Sequence, residues 1–454
     1  MGYAAGLAFR NLKTGSDMST LDAAVPAAQP SLAARFGLPT GPIQFLGSDR
    51  NYWRIWVRGS ALLAVTLGIY RFWLTTDTRQ FLWSNTEVLG EPLEYTGTAR
   101  ELLIGFLIAV AILIPFYAFL FLLALSVDQL RGLAGLVGFV LATVLGHYAV
   151  YRARRYRLTR TVFRGVRFHQ TGSAWHYAIQ AVLWWTLVIL TLGLAYPIAQ
   201  ARLERFKLRN TWLGNLQGRF EGSAASLFVR GLFMWLIIAG PLIASLVAVG
   251  AALDIATLQQ LAASSSEEAF TRFIQSHPGL ASAFGSVVGA LTWAMLLGIL
   301  LYPVFQAMVL RWWASGLRFG EMAASSALRT GEVYACYLRY IGWSIVFSTI
   351  GTFAVLILIA AIASLLWATG LLQNQWLADS GEMIVAISAV ALYVVFALGY
   401  AAIYQVKVRL GLWRAVINST GLSNPATLET ISSVGAPASA VGEGLADALN
   451  VGGF

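Results

Sequence analysis

Eight apolar segments, each about long enough for a helix to cross the hydrocarbon core of a bilayer, constrain this chain more than any other feature. They cover roughly residues 52–74, 102–125, 131–151, 175–199, 228–251, 281–307, 338–366 and 383–406. Hydrophobic residues fill 58% of the 454 positions and only 11% are charged, against about 25% in a soluble domain. Strand-like alternation is rare, which argues against an outer-membrane barrel. The expected fold class is therefore an all-α integral membrane protein, a polytopic helical bundle. Trp53 and Trp56, Trp312 and Trp313, Trp367 and Trp413 mark segment ends, where interfacial tryptophan belongs.

Basic residues then set the topology. The net charge is +10, from 31 Lys+Arg against 21 Asp+Glu. Most of the basic residues lie between apolar runs, where the positive-inside rule accounts for them without nucleic acid. If all eight segments cross with the N-terminus inside, inside loops hold 20 of the 31 and the seven-Arg stretch 152–167 falls outside. If the first and fourth segments enter and return on one side, the inside count becomes 29 and the outside count 2. The expectation is thus six full spans plus two re-entrant or broken segments, with both termini cytoplasmic; eight full spans is the alternative.

A shared motif singles out the same two segments. The first ends Thr66-Leu67-Gly68-Ile69-Tyr70, and the fourth ends Thr191-Leu192-Gly193-Leu194-Ala195-Tyr196-Pro197. Glycine commonly stops a helix, and proline suits the first turn of a new one. Thr66, Gly68, Tyr70, Thr191, Gly193, Tyr196 and Pro197 are therefore candidate helix breaks. Irregular backbone at membrane depth needs cover from protein or water, so both breaks are expected in the bundle interior or along a cavity.

Tyrosine followed nine residues later by arginine recurs at Tyr70/Arg79, Tyr196/Arg205, Tyr302/Arg311 and Tyr400/Arg409, with Tyr148/Arg157 as a further candidate. Asn85-Thr86 and Asn210-Thr211 follow the first two pairs, then Glu94-Tyr95-Thr96-Gly97 and Phe220-Glu221-Gly222. Phe168 to Gly172 and Arg329-Thr330-Gly331 stand at similar places. Each precedes a new apolar helix. The unit reads as a membrane helix, a basic turn, a short extended piece and the next helix, with Arg79, Asn85, Arg205 and Asn210 as structural motif positions. Internal symmetry of this kind occurs in transporters.

With Tyr52-Trp53-Arg54-Ile55-Trp56 at its start, this pattern resembles the YjgN-like family of bacterial inner-membrane proteins. The resemblance covers about residues 45–415 and is specific across the first two copies. It weakens in the third and fourth, where Asn-Thr is lost and Gly316-Leu317 stands at the aligned place. It implies an inner-membrane location and carries no biochemical activity with it.

Outside the membrane domain at 45–415, residues 1–44 are rich in Ala, Gly and Pro and lack a signal-peptide core. They are expected to be flexible, with Met18 a candidate natural start. The tail 416–454 is expected to be flexible too.

Little in the sequence points to catalysis. Cys336 is the single cysteine, which excludes an intrachain disulfide and a cysteine metal cluster. His147, His169, His176 and His277 show no zinc spacing. No phosphate loop or nucleophile elbow is present, so neither an enzyme nor a cofactor is expected. The interiors of 102–125, 231–251, 281–307, 340–366 and 383–406 contain no ionisable residue, which argues against a carboxylate-based ion-coupled carrier. Pro115, Pro241 and Pro303 lie within spans, and Gly285 and Gly289 make a small-xxx-small pair for packing within the monomer or an oligomer.

Three functions remain open. The first is channel- or transporter-like permeation of an uncharged or amphipathic solute. The second is a scaffold or regulator binding anionic lipid or a partner protein through Arg152, Arg154, Arg155, Arg157 and Arg160; arginine grips phosphate in two-pronged fashion. The third is a lipid-handling protein with a groove for an acyl chain. Membrane lipids, another copy of the chain or a second membrane protein are the expected partners, and nucleic acid is not.

Overall fold

Short polar signals at helix ends divide the apolar chain into pairs of helices. In the computed structural model the described residues are 43–126, 131–254, 275–369 and 375–432, with 266, 271 and 273 between them. Strand β1 (Ile43–Phe45) precedes a short pair, α1 (Asp49–Val65) and α2 (Arg71–Ser84). Strands β2 (Thr86–Val88), β3 (Glu91–Pro92) and β4 (Glu94–Tyr95) lead to a long pair, α3 (Ala99–Ser126) and α4 (Arg131–Thr159). Strands β5 (Thr161–Phe163) and β6 (Val166–Gln170) precede a second short pair, α5 (Ala174–Leu190) and α6 (Tyr196–Arg209). Strands β7 (Thr211–Leu213) and β8 (Leu216–Phe220) precede α7 (Ala224–Ala252) and α8 (Pro278–Gly316). Strands β9 (Leu317–Phe319) and β10 (Met322–Ser326) precede α9 (Thr330–Ala368) and α10 (Gln375–Tyr404). A π-helical turn (Gln405–Arg409) carries α10 into α11 (Leu410–Asn418), before β11 (Thr420–Ser423) and a 3-10 turn (Pro425–Thr430).

The starts of four helices share one device. Ser48, Thr98, Ser173 and Ser223 each accept a hydrogen bond from the backbone N–H three residues on, at 3.3–3.4 Å. A glycine precedes every one of these caps. At three of them an aromatic ring two residues earlier folds over that glycine: a Cβ on Gly47, Gly97 or Gly222 would stand 2.4, 2.6 or 2.5 Å from Phe45, Tyr95 or Phe220. This crowding is the physical basis of the aromatic-x-Gly motif.

The ends share another device. Thr86, Thr161, Thr211 and Thr420 each donate a hydroxyl hydrogen bond to the carbonyl four residues back, at 2.7–2.8 Å, as the chain passes from helix to strand. Asn85 and Asn210 reach the Phe81 and Phe206 carbonyls in the same way. Thr161 and Thr420 take this role without a preceding Asn-Thr pair.

To the helical class the structure adds a sheet that the apolar pattern does not announce. Strands β4 to β11 form one antiparallel sheet of eight, ordered β11-β10-β9-β8-β7-β6-β5-β4, and β1, β2 and β3 form a second. The hairpin turns are two residues long. Leu89-Gly90 and Arg164-Gly165 have positive φ at both positions, and Gly214 and Gly320 supply it at the first position of the other two. Phe163, Val166, Leu213, Met322, Leu422 and Leu428 form an apolar layer against this sheet.

The sheet decides the topology of the helices. Neighbouring strands lie about 5 Å apart, so the connections from β4 to β11 sit together at one end of the bundle. The helices between them must leave that end and return to it. The short pairs do the same within a smaller reach: Tyr52 near the start of α1 meets Phe81 near the end of α2 at 5.2 Å, and Tyr177 of α5 meets Phe206 of α6 at 5.9 Å. Helix α1 has 17 residues and α5 has 17, each about 25 Å long, short of a hydrocarbon core of about 30 Å. Among the described residues, six helices are long and apolar enough to cross: α3, α4, α7, α8, α9 and α10 with its continuation. Phe119, Phe233, Ile299, Ile357 and Val385 on these spans are 62–73% exposed, as lipid-facing side chains must be. The six spans and two broken segments are therefore the arrangement, and eight full spans are not.

Two expectations change. The folded domain extends past 415, because β11 pairs with β10 and Leu422 and Leu428 are buried in the apolar layer; residues 1–42 and 433–454 of the expected flexible ends lie outside the described residues. Within the monomer, Gly285 and Gly289 meet no packing partner among the described residues, since a Cβ on either would find nothing within 4 Å; the oligomer half of that expectation is unaffected.

Candidate functional site

A helix that stops within lipid must satisfy its last carbonyls internally. Both Thr-Leu-Gly breaks do so with the same bonds. Thr66 Oγ1 donates to the Leu62 carbonyl at 2.7 Å and accepts from the Tyr70 N–H at 3.0 Å; Thr191 Oγ1 donates to Leu187 at 2.8 Å and accepts from Ala195 N–H at 3.0 Å. The glycine N–H then reaches back five residues, Gly68 to Leu63 at 2.8 Å and Gly193 to Val188 at 2.7 Å. Leu67 and Gly68 have φ of 49° and 95°, and Leu192 and Gly193 have 49° and 92°. A leucine in this left-handed region costs about 1–3 kcal/mol, and such strain clusters at functional sites.

The surroundings of the two breaks differ. Val65 and Leu67 are 80% and 93% exposed, and nothing lies within 4 Å of a Cβ on Gly68. The first tip is therefore outward, not interior as expected; its own hydroxyl and turn bonds satisfy the backbone, so no protein cover is needed. The second tip is partly covered: Leu192 at its apex is 43% exposed, and two contacts tie the tip to the neighbouring spans. Trp235 Nε1 of α7 donates to the Leu192 carbonyl at 2.8 Å, and Tyr196 packs on Phe305 of α8 at 5.3 Å.

Beneath that second tip lies a cavity of about 420 Å³. Gly193, Tyr196 and Pro197 line it from the break, with Gly231 and Trp235 from α7 and Gly298 from α8. Its lining is apolar apart from the Tyr196 and Tyr302 hydroxyls and the Trp235 indole N–H. Glycines at 231 and 298 hold the space open: a Cβ at 298 would meet nothing within 4 Å, and one at 231 only Met308 at 3.5 Å. No residue of the first break lines it.

The motif arginines act as ties between a helix end and the next helix start. Arg79 Nη1 donates to Tyr95 Oη at 3.0 Å, Arg205 Nη2 to the Gly222 carbonyl at 3.2 Å, and Arg311 Nη2 to Thr330 Oγ1 at 3.4 Å. The five arginines at 152–160 are all buried or half-buried. Arg160 grips Glu101 with two bonds of 3.0 and 3.1 Å, and Arg154 reaches Thr211 Oγ1 at 3.4 Å.

A buried ion pair lies beside this cluster, outside the span interiors. Glu204 of α6 is 7% exposed, binds Lys207 one turn on, and accepts from Trp313 Nε1 of α8 at 3.2 Å. Burial pulls the Lys207 ammonium below its ordinary range, and Glu204 opposes that. The signal available in the sequence is a lone glutamate within the basic stretch 202–209.

Six spans, two broken helical pairs and a sheet at one end define a multi-pass helical membrane protein. The chain belongs to the family described as bacterial protein of unknown function (DUF898), whose profile matches residues 40–354. It is similar to the inner membrane protein YjgN of Escherichia coli strain K12 and of Escherichia coli O157:H7, at 28% identity over 158 residues, 35% of this chain and 36% of each relative. The match thus spans about a third of the length of these curated relatives. No solved structure matches the chain significantly.

Proposed function

We propose that this protein resides in the bacterial inner membrane, with the sheet and both termini on the cytoplasmic side, and takes the apolar part of an uncharged or amphipathic molecule into the cavity at the second break, as the binding step of permeation. The observation that carries this reading is the apolar space of about 420 Å³ set directly against a strained helix break. Ligand pockets typically occupy about 300–1,000 Å³ with few polar groups, and membrane carriers place their sites at discontinuous helices. The excess of basic residues on the sheet-side connections supports the orientation. Lipid or partner contact through Arg152, Arg154, Arg155, Arg157 and Arg160 has less support, because none of the five is exposed.

Gly298→Leu tests the reading, since Gly298 lines the cavity and a Cβ there meets nothing within 4 Å. A photoactivatable palmitate analogue should label peptides of α7 and α8 around Trp235 and Tyr302 in the wild type. Overpacking costs about 1–3 kcal/mol, so the variant should lose about tenfold of that label or more, while lipid-facing label on α9 stays constant. Equal labelling of both proteins around the cavity would overturn the proposal.

A further inference from the structure

A cleft of about 460 Å³ opens between the start of α9 and α11. Arg329, Glu332 and Arg339 line it from one side, and Arg414 and Asn418 from the other. Its floor is tight, since a Cβ on Gly411 would stand 2.8 Å from Cys336 Sγ. Cys336 in turn lies within Coulombic reach of Arg339, Arg414, Glu332 and Asp49, which places these charges around one space. Lys407 stands on the membrane side of it, with its ammonium 5.1 Å from the Trp343 ring and 3.9 Å from Asp49.

We propose that this cleft binds the phosphate headgroup of an anionic phospholipid. Charge balance, depth and the adjoining helix face each favour it. Arg414 donates to Asp49 at 2.5 Å and Lys407 shares that carboxylate, so two cations divide one anion. Glu332 is the described carboxylate on the lining, against Arg329 and Arg339. Four cations thus meet two carboxylates, an excess that stands whatever hydrogen bonds each side chain makes. Arg329 and Arg339 are exposed, and the planar fork of a guanidinium matches phosphate oxygens. Arg339 and Lys407 are also the first charged residues met on leaving the uncharged stretches 340–378 and 383–406. Charge placed there sits at the level of lipid headgroups, where tryptophan also belongs, and Trp343 stands one turn from Arg339. Arg339, Trp343, Val346 and Ile350 share a face of α9 by their spacing, and the last three are 53%, 47% and 64% exposed. That stripe offers an acyl chain a track from the cleft into hydrocarbon, which a soluble anion would not use. The site is independent of the apolar cavity at the second break and of which side the sheet faces.

The test uses the full chain, freed of native lipid in a neutral detergent, with bound lipid counted by native mass spectrometry. Phosphatidylglycerol is titrated against phosphatidylcholine of the same acyl chains and should bind the more tightly. Arg339→Gln removes one charged hydrogen-bonding partner and should weaken phosphatidylglycerol binding about tenfold or more, with phosphatidylcholine unchanged. Arg339→Lys keeps the charge without the fork and should fall between the two. Arg329→Gln, at an exposed position before the helix, should weaken binding severalfold and decides the matter if Arg339→Gln fails to fold. Arg100→Gln, an exposed arginine at the start of α3, removes the same charge elsewhere and should bind like the wild type. Glycerol phosphate, the headgroup without chains, should displace little of the lipid. The proposal is overturned if glycerol phosphate competes on equal terms, which would assign a soluble anion. It is overturned equally if the two phospholipids bind alike, or if Arg339→Gln and Arg100→Gln lose the same amount.

Discussion

Glu204→Ala should destabilise the protein by about 3–5 kcal/mol, because it strands the Lys207 charge in a buried site. Glu204 holds Lys207 on its own helix and Trp313 on α8, so its removal loosens the joint between a broken pair and a long span. Glu204→Gln retains a hydrogen-bond acceptor for Trp313 and loses the charge, so it should fall nearly as far. Glu204→Leu combined with Lys207→Met should recover most of the loss, since an apolar pair of similar volume replaces a buried ion pair at little cost. Unfolding by a denaturing detergent reads these differences. A loss below about 1 kcal/mol for Glu204→Ala would place the pair at the surface in function, whatever its burial.

Phe220→Ala should cost a similar amount, about 3–5 kcal/mol, as removal of a buried ring from a joint that cannot collapse. Phe220 is 6% exposed and meets Trp312 edge-on at 4.8 Å. Trp312 Nε1 in turn donates to the Ser223 carbonyl at 2.9 Å, at the cap of α7. The ring is flanked by Gly222 and Gly316, where a Cβ would lie 2.5 Å from it. Neither side can move in to fill the space without crossing backbone. The same detergent titration measures the loss, and Phe220→Leu should lose less than half as much. An equal loss for both would show that ring shape, not volume, holds the joint.

The membrane spans and the two broken segments are legible because lipid imposes a length on apolar runs and the excess of arginine marks one side of them. The Thr-Leu-Gly motif is legible for a local reason: Thr66 and Thr191 use the same hydroxyl bonds and glycine the same positive φ. Other features depend on partners far away in the chain. Strands of two to five residues are too short to show alternation, and β10 pairs with β11 across about a hundred residues. Their turn signals, Gly90, Gly165, Gly214 and Gly320, are present but ordinary in a glycine-rich chain. The apolar cavity needs α7 and α8 laid against the second break. Motif spacing finds Arg79, Arg157 and Arg409, and only the packing shows that they face one space. The arginines at 152–160 look like an exposed basic face by composition alone; their neighbours Glu101 and Thr211 come from other elements and draw Arg160 and Arg154 inward.

Helices α1–α2 and α5–α6 each return the chain to the end of the bundle it left. Single cysteines at Asn51 and Gln80, and at His176 and Arg209, sit at exposed positions on the two ends of each pair. They can be placed in a background where the buried Cys336 is replaced by serine. In intact inner-membrane vesicles of known orientation, a membrane-impermeant maleimide should label both members of each pair from the same, cytoplasmic side. Labelling of Asn51 and Gln80, or of His176 and Arg209, from opposite sides would contradict the returning pairs and restore eight full spans.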